Sequence, residues 1–106
     1  MGNAKQKIMD KLENAGQEMH DRVVQFPFWD EWKDDIKSDI ADLKNLGGPY
    51  AGMITAGKFL EHFAKHPFIH IDLSNAYLHT QENYKGKGAT GAGVRLLYQF
   101  FKEISK

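Results

Sequence analysis

The chain of 106 residues contains no cysteine. Disulfides and thiolate metal sites are therefore excluded, and the chain does not read as a disulfide-stapled secreted domain. It also lacks an apolar run approaching the roughly 18 residues of a membrane-spanning helix. It has no excess charge of either sign, with 14 basic and 14 acidic residues. A general binder of nucleic acid carries a net basic surface, so neither nucleic acid nor a membrane is an expected partner. The opening "MGNAKQKIMD" is polar and charged, unlike a signal peptide. A soluble, cytoplasmic protein is expected. The length suits one unit, residues 1–106, with one modest core.

What is present is mostly helical. Ile8, Leu12, Ala15, Met19 and Val23 recur at spacings of three and four, which predicts an amphipathic helix over residues 4–23. Asn3 is its expected N-cap, and Gly16 weakens its middle by roughly 1 kcal/mol relative to Ala. Pro27 breaks the pattern. Trp29 to Lys37 predict a short helix with Asp30 and Glu31 in its first turn, where the helix dipole favours acid. Its interleaved lysines, Lys33 and Lys37, make a salt-bridged solvated face the expected role of "DEWKDDIKSD", rather than paired catalytic carboxylates. Residues 38–50 read as an extended segment and a turn.

"AGMITAGKFLEHFAK" predicts a second helix whose apolar face carries Met53, Ala56, Phe59, Leu60 and Phe63. "FIHIDLS", Phe68 to Ser74, reads as a buried strand. Then comes a polar loop, "NAYLHTQENYKGKG", of a length that suggests a functional or interface loop. A last helix is expected from Thr90 to Ile104, with Val94, Leu97, Phe101 and Ile104 on one face and Thr90 as its N-cap. One buried strand cannot make a sheet alone, which points to an incomplete unit.

Three local patterns invite a functional reading. Gly86, Gly88 and Gly91 have the spacing G-x-G-x-x-G. A dinucleotide fingerprint needs a strand before it and an acidic residue about 20 positions later. Neither is visible, so the glycines read as structural. His70 and Asp72 alternate along the predicted strand; a buried His–Asp hydrogen bond is the favoured reading, since a metal site needs three or four ligands. His62 and His66 stand at i, i+4 without the intervening acid of H-E-x-x-H, and read as surface residues near a helix C-terminus. No catalytic constellation emerges, and the residues alone lead only to an α/β unit.

Four segments, taken in order, carry more information: "DEWKDDIKSDIADLKNLGG", "AGMITAGKFLEHF", "HIDLSNA" and "KGKGATGAGVRLLYQF". Together they resemble the C-terminal part of the leucyl (cytosol) aminopeptidases. That family's usual run is K-S-D-x-A-D-x-K-N-x-G-G, A-G-x-I-T-A-x-x-F-L, H-L-D-I-A-G and K-G-A-T-G-x-G-V-R-L-L. The likeness extends from about Arg22 to Phe101.

The resemblance implies an α/β fold, a fragment of a mixed-sheet metallopeptidase domain flanked by helices. It implies an enzyme that removes N-terminal residues such as leucine from peptides, using two divalent metal ions, zinc or manganese, and assembling as a homo-oligomer, a hexamer in the family. The family's metal ligands and its N-T-D-A-E-G-R motif belong to the region upstream of the matched part. No catalytic or metal-binding residue is therefore expected in this chain, no metal ion is expected to bind it, and it is expected to be inactive alone. The positions that match the family's substrate side-chain pocket are Leu46, Ser74 and Tyr77. Ser74 and Asn75 stand where the family has Ala-Gly, and Pro49 and Tyr50 depart from its pattern too. The alternative is a non-catalytic, self-associating interaction module of the same fold.

Overall fold

The computed structural model describes residues 1–74, 76–78 and 88–106. The described chain divides into two compact units, Met1–Met9 with Gln25–Ile71, and Asp10–Val24 with Asp72–Lys106. Helix α1, Gln6–Glu18, contributes its start to the first unit and the rest to the second.

In the first unit, a 3-10 helix, Asp30–Ile36, packs on helix α2, Gly52–Phe63. The 3-10 form fits its charges. Lys33 pairs with Asp30 at 2.8 Å and Lys37 with Asp34 at 2.6 Å. Side chains three apart eclipse one another in this geometry. The predicted salt-bridged face is thus observed. Ser38 follows, its Oγ accepting the amides of Ile40 and Ala41, and the Lys44 amide closes the loop onto the Ile36 carbonyl at 2.8 Å. Met9, Ile36, Ile54, Thr55 and Lys58 are the buried side chains among the described residues here.

The predicted strand over Phe68–Ser74 is not formed. Ile69 makes a single antiparallel bridge to Gly2, and the Asn3 and Ala4 amides both donate to the Phe68 carbonyl. A ladder needs several consecutive pairs, and residues 1–4 supply one. Asn3 is consequently not a helix cap: its Oδ1 accepts the Phe68 amide at 2.9 Å and its Nδ2 donates to Glu61.

In the second unit, α1 ends at Glu18 rather than running to Val23. The Asp21 amide bonds the Gly16 carbonyl at 2.9 Å and the His20 amide bonds that of Gln17 at 3.3 Å. That pair of bonds is a Schellman motif. His20, at φ 51°, takes the left-handed position that glycine usually fills. Gly16 is required for the reversal, because a Cβ there would lie 2.9 Å from the Asp21 carbonyl oxygen and 3.3 Å from Leu96 Cδ1. The chain later forms a two-residue antiparallel ribbon, β1 (Tyr77–Leu78) with β2 (Gly88–Ala89), in the register Tyr77 opposite Ala89. Helix α3, Val94–Ile104, follows. Leu12, Ala15, Leu96 and Phe100 are buried in this unit.

On two helices the predicted apolar face is not the buried one. On α2 the buried positions are Ile54, Thr55, Gly57 and Lys58, whereas Met53, Ala56, Leu60 and Phe63 are exposed. On α3 Leu96 and Phe100 are buried, whereas Val94, Phe101 and Ile104 are exposed. Both helices are apolar on more than one side, and periodicity does not say which side the local core takes.

Candidate functional site

The densest polar arrangement lies in the first unit, around a lysine on the buried face of α2. Lys58 is 2% exposed. Its Nζ donates to Glu61 Oε2 at 3.0 Å and to Asp30 Oδ1 at 3.1 Å. It also sits 3.8 Å from the centroid of the Phe28 ring. A buried ammonium is tolerated only when it is paired and hydrogen-bonded, and a ring face beneath it adds a cation–π contact. Gly57 makes the approach possible: a Cβ on it would stand 2.9 Å from Phe28 Cε2 and 3.4 Å from His70 Cδ2. Lys33 joins the group through Asp30 and, at 3.4 Å, through Glu61.

The charges tune one another. The Asp30 carboxyl is held below its ordinary range by its hydrogen bonds to Lys33 and Lys58. Burial pushes Glu61 up, but Lys58, the Asn3 amide and Lys33 outweigh it and leave its carboxyl lowered. The hydrogen bond to Asp30 raises Lys33. Both carboxylates are thus engaged by cations of the chain. Among the described residues, no group of three or more His, Asp or Glu side chains is placed to hold a metal ion. The described residues therefore do not fit a dinuclear centre, and no chemical step through one is derived from them. His62 is exposed in the last turn of α2 and His66 is exposed beyond it, as expected. Asp72 is exposed rather than buried.

The glycine-rich stretch belongs to the second unit. Gly86 lies outside the described residues, as does most of the predicted polar loop. Gly91 and Gly93 have φ of 74° and 85°, which glycine adopts readily. Thr90 is not the cap of α3. Its Oγ1 accepts the Ala92 amide, and Gly93 is the N-cap residue. The free amides at the helix start are met instead by Asp21, whose Oδ2 accepts from Gly93 at 2.9 Å and from Leu96 at 3.3 Å. A helix N-terminus is the natural seat of a phosphate. Here the chain's own carboxylate takes that seat, and of the motif glycines Gly91 serves a positive φ.

The three residues matched to the family's substrate pocket are all surface positions. Leu46, in the first unit, is 80% exposed, and in the second unit Ser74 is exposed and Tyr77, in β1, is 52% exposed. Sequence reasoning passed over Lys58 and Asp21. For Lys58 a signal existed in Glu61, three residues further along α2, the spacing of a helical ion pair. For Asp21 there was none, because its amide partners lie more than 70 residues away.

The profile of the "Cytosol aminopeptidase family, catalytic domain" matches residues 1–98. The chain belongs to the cytosol aminopeptidase family. A probable cytosol aminopeptidase of Geobacter sulfurreducens is 44% identical over 97 residues, covering 90% of this chain and 20% of the relative. One of Alkaliphilus metalliredigens is 45% identical over 102 residues, covering 94% of this chain and 20% of the relative. The crystal structure of the cytosol aminopeptidase of Coxiella burnetii superposes with a TM-score of 0.86 at 24% identity, covering 99% of this chain and 23% of that one. The fold is therefore that of one part of a cytosol aminopeptidase. The chain spans about a fifth of the length of the curated relatives it matches.

Proposed function

We propose that these residues are the C-terminal part of the catalytic domain of a dinuclear-metal aminopeptidase that removes N-terminal residues such as leucine from peptides. The observation that carries the reading is the family match over residues 1–98, with which the order of the four sequence motifs agrees. In this reading the catalytic and metal-binding groups come from the rest of the domain, and the 106 residues alone are inert. The mixed central sheet, the zinc or manganese pair, the cytoplasmic location and the hexamer belong to the same proposal. Leu46, Ser74 and Tyr77 line the substrate side-chain pocket in the whole enzyme; their exposure leaves them accessible for such a role. The test is hydrolysis of leucine p-nitroanilide in zinc or manganese. The 106-residue chain is expected to give no turnover, and a fusion that supplies the remaining four-fifths from a relative is expected to turn over. Metal-dependent turnover by the short chain overturns the reading.

A further inference from the structure

Helix α2 is built to be covered on two sides. Taken at 100° per residue, its buried positions Ile54, Thr55, Gly57 and Lys58 occupy one side. Met53, Ala56, Leu60 and Phe63 fall within an arc of about 80° on the opposite side. All four are exposed, Phe63 by 62% and Leu60 by 48%. None carries charge, so the arc is a continuous apolar strip along the whole helix. Lys58, Glu61 and His62 lie outside this arc, and an apolar strip of this kind left in water marks an interaction surface. Helix α3 repeats the feature in the other unit, with Val94, Tyr98 and Phe101 exposed at i, i+4 and i+7.

The length of chain outside these residues names the occupant. The matched relatives have about four-fifths of their length beyond the matched part. The superposed Coxiella burnetii chain has 77% of its residues outside the match, 100% less the 23% covered. Resting on the aminopeptidase reading above, we propose that the outer strip of α2, centred on Leu60, is the docking surface for the part of the cytosol aminopeptidase domain that these residues do not span. A second copy of the chain is the rival occupant.

The experiment compares Leu60→Asp in two settings: the 106-residue chain alone, and a fusion of this chain behind the first four-fifths of the Geobacter sulfurreducens relative. Leu60→Asp is expected to leave the melting temperature of the short chain within about 2 °C of the parent, because surface substitutions are nearly neutral. It is expected to lower that of the fusion by more than about 8 °C, as a buried charge without a partner does. Hydroxyl-radical labelling of Met53 and Phe63 is expected to be at least tenfold slower in the fusion than in the short chain. Equal labelling in the two, or an equal melting shift, overturns the proposal. Sedimentation of the short chain as a dimer with Met53 already protected overturns it in favour of the second copy. If the fusion is insoluble, Leu60→Asp is transferred to the aligned position of the intact relative, where an unchanged melting temperature overturns the proposal. Turnover is scored separately: protection without peptide hydrolysis defeats the aminopeptidase reading and leaves the docking surface standing.

Discussion

Replacing Asp21 with Ala removes a side chain that lies outside every helix, yet it is expected to weaken α3. Oδ2 of Asp21 accepts the amides of Gly93 and Leu96, and Leu96 is 0% exposed. Water cannot readily replace a partner at a buried amide, and an orphaned buried donor costs about 1–3 kcal/mol. Loss of an N-cap costs about 0.5–2 kcal/mol, and the carboxylate's interaction with the helix dipole adds about 0.3–1 kcal/mol. These overlap, and together place Asp21→Ala near 2 kcal/mol, roughly 8–16 °C of melting temperature for a chain of this size. Asp21→Asn keeps an acceptor and loses only the charge, so its cost is expected below about 1 kcal/mol. Thermal melts followed by circular dichroism read the ranking. Hydrogen exchange at Leu96 reads the cause, since its amide is expected to exchange faster in the Ala variant. An Asp21→Ala chain melting within about 2 °C of the parent, with Leu96 protection intact, refutes the capping argument.

Gly16→Ala improves helix preference by about 1 kcal/mol, yet is expected to destabilise, because the new Cβ would stand 2.9 Å from the Asp21 carbonyl; a higher urea midpoint would contradict this. Lys58→Ala is expected to cost about 3 kcal/mol, chiefly through the cavity left beside Phe28, since Glu61 keeps Lys33 and Asn3 as partners. Lys58→Met fills that space and is expected to cost clearly less, so equal urea midpoints would refute a packing role for the lysine stem. The lowered carboxyls of Asp30 and Glu61 set an acid dependence. The unfolded chain binds their protons more readily, so their contribution is fully present above about pH 4.5, the unfolded range, and drains away as the pH falls through the lower folded values. Glu61→Gln is expected to flatten that fall in urea midpoint; an unchanged slope would contradict it.

Much of this was legible in the sequence, but unevenly. The core face of α1 was readable at Leu12 and Ala15 because that helix is apolar on one side only. On α2 and α3 the same reasoning selected Met53, Leu60, Val94 and Phe101, which form the faces turned away from the local core. Periodicity detects apolar faces without ranking them, and a lysine on the buried face of α2 disguised it further. The caps failed for a different reason. Asn3 and Thr90 have suitable side chains next to their helices, but Asn3 is held by Phe68 and Glu61. The cap of α3 comes from Asp21, delivered by the reversal at His20. Such long-range partners leave no mark in a local window. The apolar composition over Phe68–Ser74 led to neither burial nor strand pairing here: Phe68 to Ile71 are half-buried, Asp72 to Ser74 are exposed, and the pairing seen is one bridge. The family was readable from motifs whose order and spacing agree across most of the chain.

Turnover of leucine p-nitroanilide by the purified 106-residue chain, with zinc or manganese added, distinguishes an inert part of the domain from a self-sufficient enzyme. The expected rate is indistinguishable from buffer with the same metal, with turnover once the rest of the domain is supplied. Robust metal-dependent hydrolysis by the 106 residues alone would contradict it.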